Sequence, residues 1–246
     1  MTSGFQDLYE LLAWQHTHEP FIVDGSIILD ETKALLYAAP KLMKSILAQQ
    51  IAICVASGEP FLGFNTTQSK VLLLQSEIPS LQLQRRLYKM QPNGQVPAGW
   101  LKVRTDRNFK LDRQTDVKNL RLWLGIEQPK LLILDPWYKM LSVEDNKTYS
   151  KTQDVMDTLI DDFHISILMV HHTTVPQFDN RQGTYIATTR PRGPQTVEGW
   201  YDSIIQMQGN LFNDDRVLTF ELRHSEVLVP PLPIRVDRSK LWAFRR

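Results

Sequence analysis

Tyr37-Ala38-Ala39-Pro40-Lys41-Leu42-Met43-Lys44-Ser45 is the stretch whose reading decides the fold. Before it stands a compact apolar run, Ala34-Leu35-Leu36-Tyr37, of the buried-strand kind. After it, Lys44 to Ser57 carries Leu47, Ile51 and Val55 on one helical face and stops at Gly58-Glu59-Pro60. Strand, short loop and a helix opening on Lys-Ser form the context of the phosphate-binding loop G-x-x-x-x-G-K-[ST]. Lys44 and Ser45 match that motif, but Ala38 and Met43 stand where it has glycine. Those glycines let backbone N–H groups wrap a phosphate with no Cβ in the way. Ala38 is a mild change, whereas a methionine side chain at position 43 can distort or fill the cradle. A Lys-Ser pair opening an ordinary helix is the alternative.

Outward from this loop, Phe5 to Leu12 begins a short helical pattern that stops before Pro20, and Phe21 to Asp30 reads as extended pieces broken at Gly25. Phe61 to Phe64 and Lys70 to Gln75 read as two strands around a polar turn, and Ser80 opens a helix through Met90 as its N-cap. Strands at 100–103, 131–134 and 165–170 are separated by helical patterns at 115–127 and 149–163. Continuous apolar strands alternating with amphipathic helices predict an α/β fold, a mainly parallel sheet covered on both faces. From residue 203 to 246 short alternating strands predict appended antiparallel hairpins. Residues 1–246 are expected to form one domain, with 1–20 an N-terminal helical segment. The stretch 173–199 has neither periodicity and reads as a long loop.

Chemistry-bearing residues fall at the strand ends. Leu131-Leu132-Ile133-Leu134-Asp135 is an apolar strand ending in a carboxylate, the Walker B arrangement, where Asp135 can hold Mg²⁺ through water beside Ser45. Glu77 follows the strand that ends at Leu74, where a carboxylate can orient water for attack on a γ-phosphate, or can simply favour the start of the helix at Ser80. His171 and His172 end another strand. Adjacent strand residues point to opposite faces, so the two cannot readily share one metal ion. One of them touching phosphate is the functional alternative to a partly exposed strand-end histidine.

Composition narrows the classes. In 246 residues, 28 Lys+Arg balance 27 Asp+Glu, which excludes both an acidic disordered tail and a polycation. Cys54 is the only cysteine, which excludes an intramolecular disulfide and a Cys-based zinc cluster. The absence of a long apolar run predicts a soluble, cytoplasmic protein.

Taken together, the motifs resemble the RecA-like ATPases, particularly the RepA-type hexameric replicative helicases and related plasmid and phage ATPases. Ala39 to Ser45 is similar to that group's Pro-Lys-containing Walker A, and Ala56 to Gly63 to the segment after its P-loop helix. Leu74-Gln75-Ser76-Glu77 and Leu83-Gln84-Arg85-Arg86-Leu87 resemble its strand with catalytic Glu and trailing arginines. Leu134-Asp135-Pro136, Val170-His171-His172-Thr173 and Arg192-Gly193-Pro194 resemble its Walker B, histidine and arginine motifs, although Pro194 replaces a serine. The resemblance implies a RecA-like three-layer fold and an ATPase with ATP and Mg²⁺ as ligands. It implies that Ala38, Ala39, Pro40, Lys41, Leu42, Met43, Lys44 and Ser45 hold the phosphates. It assigns Ser45 and Asp135 to the metal, Glu77 to the attacking water and His172 to γ-phosphate sensing. Arg192, with Arg190 as understudy, would be an arginine finger acting across a ring of subunits, a homo-hexamer by analogy.

Single-stranded DNA is the implied partner, met by basic loops at 104–114 (Arg104, Arg107, Lys110, Arg113) and 173–199 (Arg181, Arg190, Arg192), with Phe109 or Tyr185 stacking on bases. The leading function is a helicase-like ATPase in replication or mobile-element maintenance. The alternatives are a degenerate, weakly hydrolysing structural or regulatory subunit, and a recombination or repair mediator.

Overall fold

The apolar strands pair in one sheet, whose two faces can be followed residue by residue in a computed structural model. It describes residues 7–13, 21–90, 96–173, 177–179, 184–186, 190–191, 199–209 and 212–246. Phe21–Val23 (β1) and Ile28–Leu29 (β2) form a small hairpin, and Gly25 at φ 71° is the first of two left-handed residues in its turn, followed by Ser26 at φ 60°. Lys33–Ala38 (β3), Val71–Gln75 (β4), Leu101–Thr105 (β5), Leu131–Asp135 (β6) and Ser166–His172 (β7) are mutually parallel in the order β3-β7-β6-β4-β5. Ser203–Gly209 (β10) joins β3 in parallel. Asp215–Leu222 (β11), Leu232–Asp237 (β12) and Trp242–Arg245 (β13) then extend the same sheet in antiparallel fashion. Gln177–Asp179 (β8) and Thr184–Ile186 (β9) make a separate antiparallel pair, so part of the expected 173–199 loop is a hairpin.

Period-two alternation divides the strands between two cores. Leu36, Leu73, Ile133 and Leu168 face Lys44–Ser57 (α2), against Leu47, Ile51 and Val55. Leu35, Leu72, Leu132 and Met169 face Gln114–Glu127 (α4) and Asn146–Phe163 (α5), against Leu120, Leu124, Met156 and Leu159. This is the expected three-layer α/β arrangement. Helix α2 is buried on every side, not only on the face carrying Leu47 and Ile51. Its other flank is covered by the C-terminal strands, where the Gln50 amide accepts from the Ala243 N–H (2.8 Å) and donates to the Ala243 carbonyl (2.9 Å). A side-chain amide here does the work of a strand edge.

Several boundaries differ from the sequence reading. Phe61 to Phe64 is a turn closed by reciprocal N–H···O=C bonds, not a strand. Helix α5 starts three residues early because the Asp145 carboxylate accepts from the Thr148 N–H at 2.7 Å. Ser80–Met90 (α3) has Ser80 as its first residue rather than as its cap. In the N-terminal segment the described helix is Leu8–Leu12 (α1), capped by Asp7 and ended at Ala13; residues 1–6 and 14–20 lie outside the described residues.

Candidate active site

The chain leaves β3 at Ala38 and enters α2 at Lys44 through a short loop without glycine. Lys41 and Met43 take φ of 66° and 72°, the left-handed region where an L residue costs roughly 1–2 kcal/mol. The Met43 side chain is half-buried and packs against the cluster of Ile46, Ile53 and Met90, on which Leu241 and Trp242 also pack. The Met43 carbonyl accepts from the N–H groups of Ile46 (3.0 Å) and Leu47 (3.2 Å). Among the described residues the N–H groups of Met43, Lys44 and Ser45 find no acceptor, the condition of a helix N-terminus open to an anion. Met43→Gly removes the left-handed penalty but also the anchor, so nucleotide affinity is expected to change less than about tenfold, under about 1.4 kcal/mol. Met43→Ala keeps the penalty and loses the anchor, and should lower stability by about 1–2 kcal/mol in denaturant unfolding.

Strand parity brings the remaining candidates to one edge and one face. Residue pairs Ala38↔His172 and Gln75↔Asp135 are in register, and all four belong to the parity that faces α2. The Ser45 hydroxyl donates to Asp135 Oδ1 at 3.0 Å, and Lys44 Nζ lies 2.9 Å from His172 Nδ1. Lys44 is buried, and burial lowers its pKa against the opposing pull of Asp135 and Glu77. Asp135 is fully buried, which pushes its carboxyl up to about 6 despite the Ser45 hydrogen bond and the Lys44 charge. Glu77 is exposed just beyond β4, and its charge is felt at both Lys44 and Asp135. Among the described residues no hydrogen bond ties the Glu77 carboxylate to the start of α3.

His171 points to the opposite face, as alternation requires. Its Nδ1 accepts the His172 N–H at 2.8 Å, and its Nε2 lies 3.2 Å from the Tyr149 hydroxyl. Through that bond the buried His171 ring braces the backbone of His172 from below. Trp137 meets the His171 ring edge-on at 5.6 Å, and Tyr138 meets the His172 ring at 5.0 Å.

The residues present fit Mg²⁺. Asp135 Oδ2 is buried with no hydrogen-bond partner, and it sits beside a hydroxyl in the pairing that Walker sites use. Among the described residues no cluster of three or more His, Cys, Asp or Glu could cage a metal, so most ligands must be phosphate and water, as this ion prefers. Arg192 lies outside the described residues, as does Arg181, while Arg190 is exposed. In the 104–114 loop Arg104, Arg107 and Arg113 are exposed, and Phe109 departs from its expected stacking role. Phe109 is a core residue at 2% exposure, Arg113 pairs with Asp116, and Lys110 Nζ donates to the carbonyls of Lys139 and Leu141. Arg104 lies over the Trp123 ring at 4.1 Å and pairs with Asp106. These side chains serve the fold locally. Among the described residues no helix is long and apolar enough to cross a membrane.

A groove of about 510 Å³ runs along α3, lined by Arg85, Arg86, Tyr88, Lys89 and Leu241 among others. Leu241 also packs against the cluster of Ile46, Ile53 and Met90 on which Met43 rests. Gln75 is the residue that the sequence reading passed over. Its signal was positional, since it is in register with Asp135 and shares its face.

A comparison with curated proteins finds no significant match. Among solved structures, a KaiC-like protein from the hyperthermophilic archaeon Pyrococcus horikoshii OT3 superposes with a TM-score of 0.65 at 10% identity, covering 94% of this chain and 99% of that one. At that identity the likeness shows the fold, which is RecA-like. Solved chains with significant likeness number 487, so the architecture by itself selects no substrate. The AAA domain family matches residues 5–177, well over half of the sequence, and with the Lys44, Ser45 and Asp135 arrangement in place the chain belongs to that family of P-loop ATPases.

Proposed function

We propose that the protein hydrolyses ATP with Mg²⁺ in a ring of identical subunits and couples this to single-stranded DNA. The observation that carries the hydrolytic part is the convergence of Lys44, Ser45, Asp135 and Glu77 at the acceptor-free N-terminus of α2. On nucleotide entry Lys44 moves from His172 to the β/γ-phosphates, which leaves the His172 ring available to sense the γ-phosphate. Ser45 and Asp135 would hold Mg²⁺, which when bound would supply charge neutralisation on the phosphates. Glu77 takes a proton from the water whose oxygen attacks the γ-phosphorus while the bond to the ADP oxygen breaks. The groove along α3 takes base and ribose, with Arg85, Arg86 and Lys89 supplying positive charge. Arg192 reaches the phosphates of a neighbouring subunit. Ring and DNA rest on the resemblance to RepA-type helicases, as does the cytoplasmic setting.

A second reading, a regulatory subunit that binds nucleotide without turning it over, is favoured by the two left-handed non-glycine residues of the loop. Titration of a labelled ATP analogue, with hydrolysis assayed with and without single-stranded DNA, separates the two. Lys44→Ala is expected to abolish binding in both cases. Equal affinity for wild type and Lys44→Ala would remove this loop from the site. Binding by wild type with no hydrolysis under any condition would leave the regulatory subunit.

A further inference from the structure

Gln75 ends β4 at 1% exposure, in register with Asp135 on the face toward α2. Its Oε1 accepts from the N–H groups of Glu77 (2.5 Å) and Ile78 (2.9 Å), closing the turn that presents Glu77. Those two donors fix which way the amide is turned, since the NH₂ end cannot face them. Nε2 is thereby committed to the other side, where it is buried with no hydrogen-bond partner. Asp135 Oδ2, on the neighbouring strand of the same face, is buried in the same condition.

A buried polar group left unpaired costs roughly 1–3 kcal/mol, more when charged. One orphan can be a local misfit. A donor and an acceptor orphaned at adjacent register positions are complementary, and a single water can satisfy both by accepting from Nε2 and donating to Oδ2. The Asp135 carboxylate would then be held at both oxygens, Oδ1 by the Ser45 hydroxyl and Oδ2 by this water.

We propose that Gln75 is a positioning residue of the hydrolytic site, fixing the Glu77 turn through Oε1 and orienting the Asp135 carboxylate through Nε2 and one bridging water. A planar amide with both ends engaged sets the general base and the metal-side carboxylate relative to each other. This rests on the ATPase reading above. Groups that orient a metal-binding carboxylate typically matter by about 10–100-fold in metal affinity.

The test uses the full chain as wild type, Gln75→Met, which keeps the length and removes both polar ends, and Gln75→Asn, whose amide stops one methylene short of either set of partners. A labelled non-hydrolysable ATP analogue is titrated in Mg²⁺ and in EDTA, and amide exchange is followed at Glu77 and Ile78. The factor by which Mg²⁺ tightens binding is expected to fall about tenfold or more in both variants. Affinity in EDTA should be unchanged, because Lys44 and the α2 N–H groups are untouched, and both amides should lose protection. Should Gln75→Met not fold, Gln75→Asn carries the same expectation. Lost protection with a wild-type Mg²⁺ factor would reduce Gln75 to a turn-closing residue and overturn the proposal. A wild type that binds no analogue in either condition would remove the ATPase reading itself.

Discussion

Glu77→Gln is expected to lower turnover by about 10²–10⁴-fold while leaving Mg²⁺·ATP affinity nearly unchanged. The carboxylate stands exposed at the sheet edge that carries Lys44 and Asp135, near enough for its charge to act on both. The glutamine keeps the size and the turn, since Gln75 holds the backbone N–H of residue 77 rather than its side chain. What it removes is the ability to take a proton from water. Because that ability matters only in the transition state, kcat should fall and binding should not. Steady-state hydrolysis beside analogue titration checks the split. A variant that hydrolyses ATP at the wild-type rate would return Glu77 to being an acidic residue near the start of α3, the alternative that its sequence position leaves open.

That ambiguity shows where the sequence stops. The central strands and the residues at their ends were legible because residues such as Leu131 to Leu134 form uninterrupted apolar runs, which only a doubly covered strand can bury. Parity alone separated His171 from His172, and the two rings do serve different faces, one braced by Tyr149 and the other beside Lys44. The role of Met43 was not legible. Where its side chain packs depends on a left-handed φ and on a cluster that includes Met90 and is shared with Leu241 and Trp242, far along the chain. Phe109 was misread for a related reason. An aromatic flanked by Arg107 and Lys110 looks like a nucleic-acid loop until the half-buried Trp123 ring is found 6.3 Å from it and Phe109 itself in the core. Gln50 and Gln75 were passed over because a glutamine in a helix or at a strand end reads as surface. Both are buried; the Gln50 amide is matched to the backbone of Ala243, far along the chain, and the Gln75 oxygen to the N–H groups of the turn that follows it.

Asp135→Asn should make the folded chain more stable at neutral pH, even as it removes the metal-side carboxylate. Burial raises the Asp135 carboxyl from an ordinary 3.8 to about 6, so between those values the folded protein holds a proton that the unfolded chain has released. Stability therefore falls as pH rises through that window, and above it the ionised carboxylate opposes folding by about 1–3 kcal/mol in metal-free solution. Asparagine has no charge to desolvate and can still accept the Ser45 hydroxyl through its side-chain oxygen. In EDTA, urea unfolding should show Asp135→Asn ahead of wild type by that amount at pH 7, with the difference vanishing near pH 4. Adding Mg²⁺ and the ATP analogue should reverse the order, because a ligand that binds only the folded wild type stabilises it by mass action and the variant cannot hold the ion. A variant less stable than wild type at pH 7 in EDTA would mean that the folded chain keeps this carboxylate ionised without strain. The reversal on adding Mg²⁺ is the part that only a metal-binding role produces. A buried acid that destabilises the empty fold and is relieved by its cation marks a residue retained for binding rather than for folding.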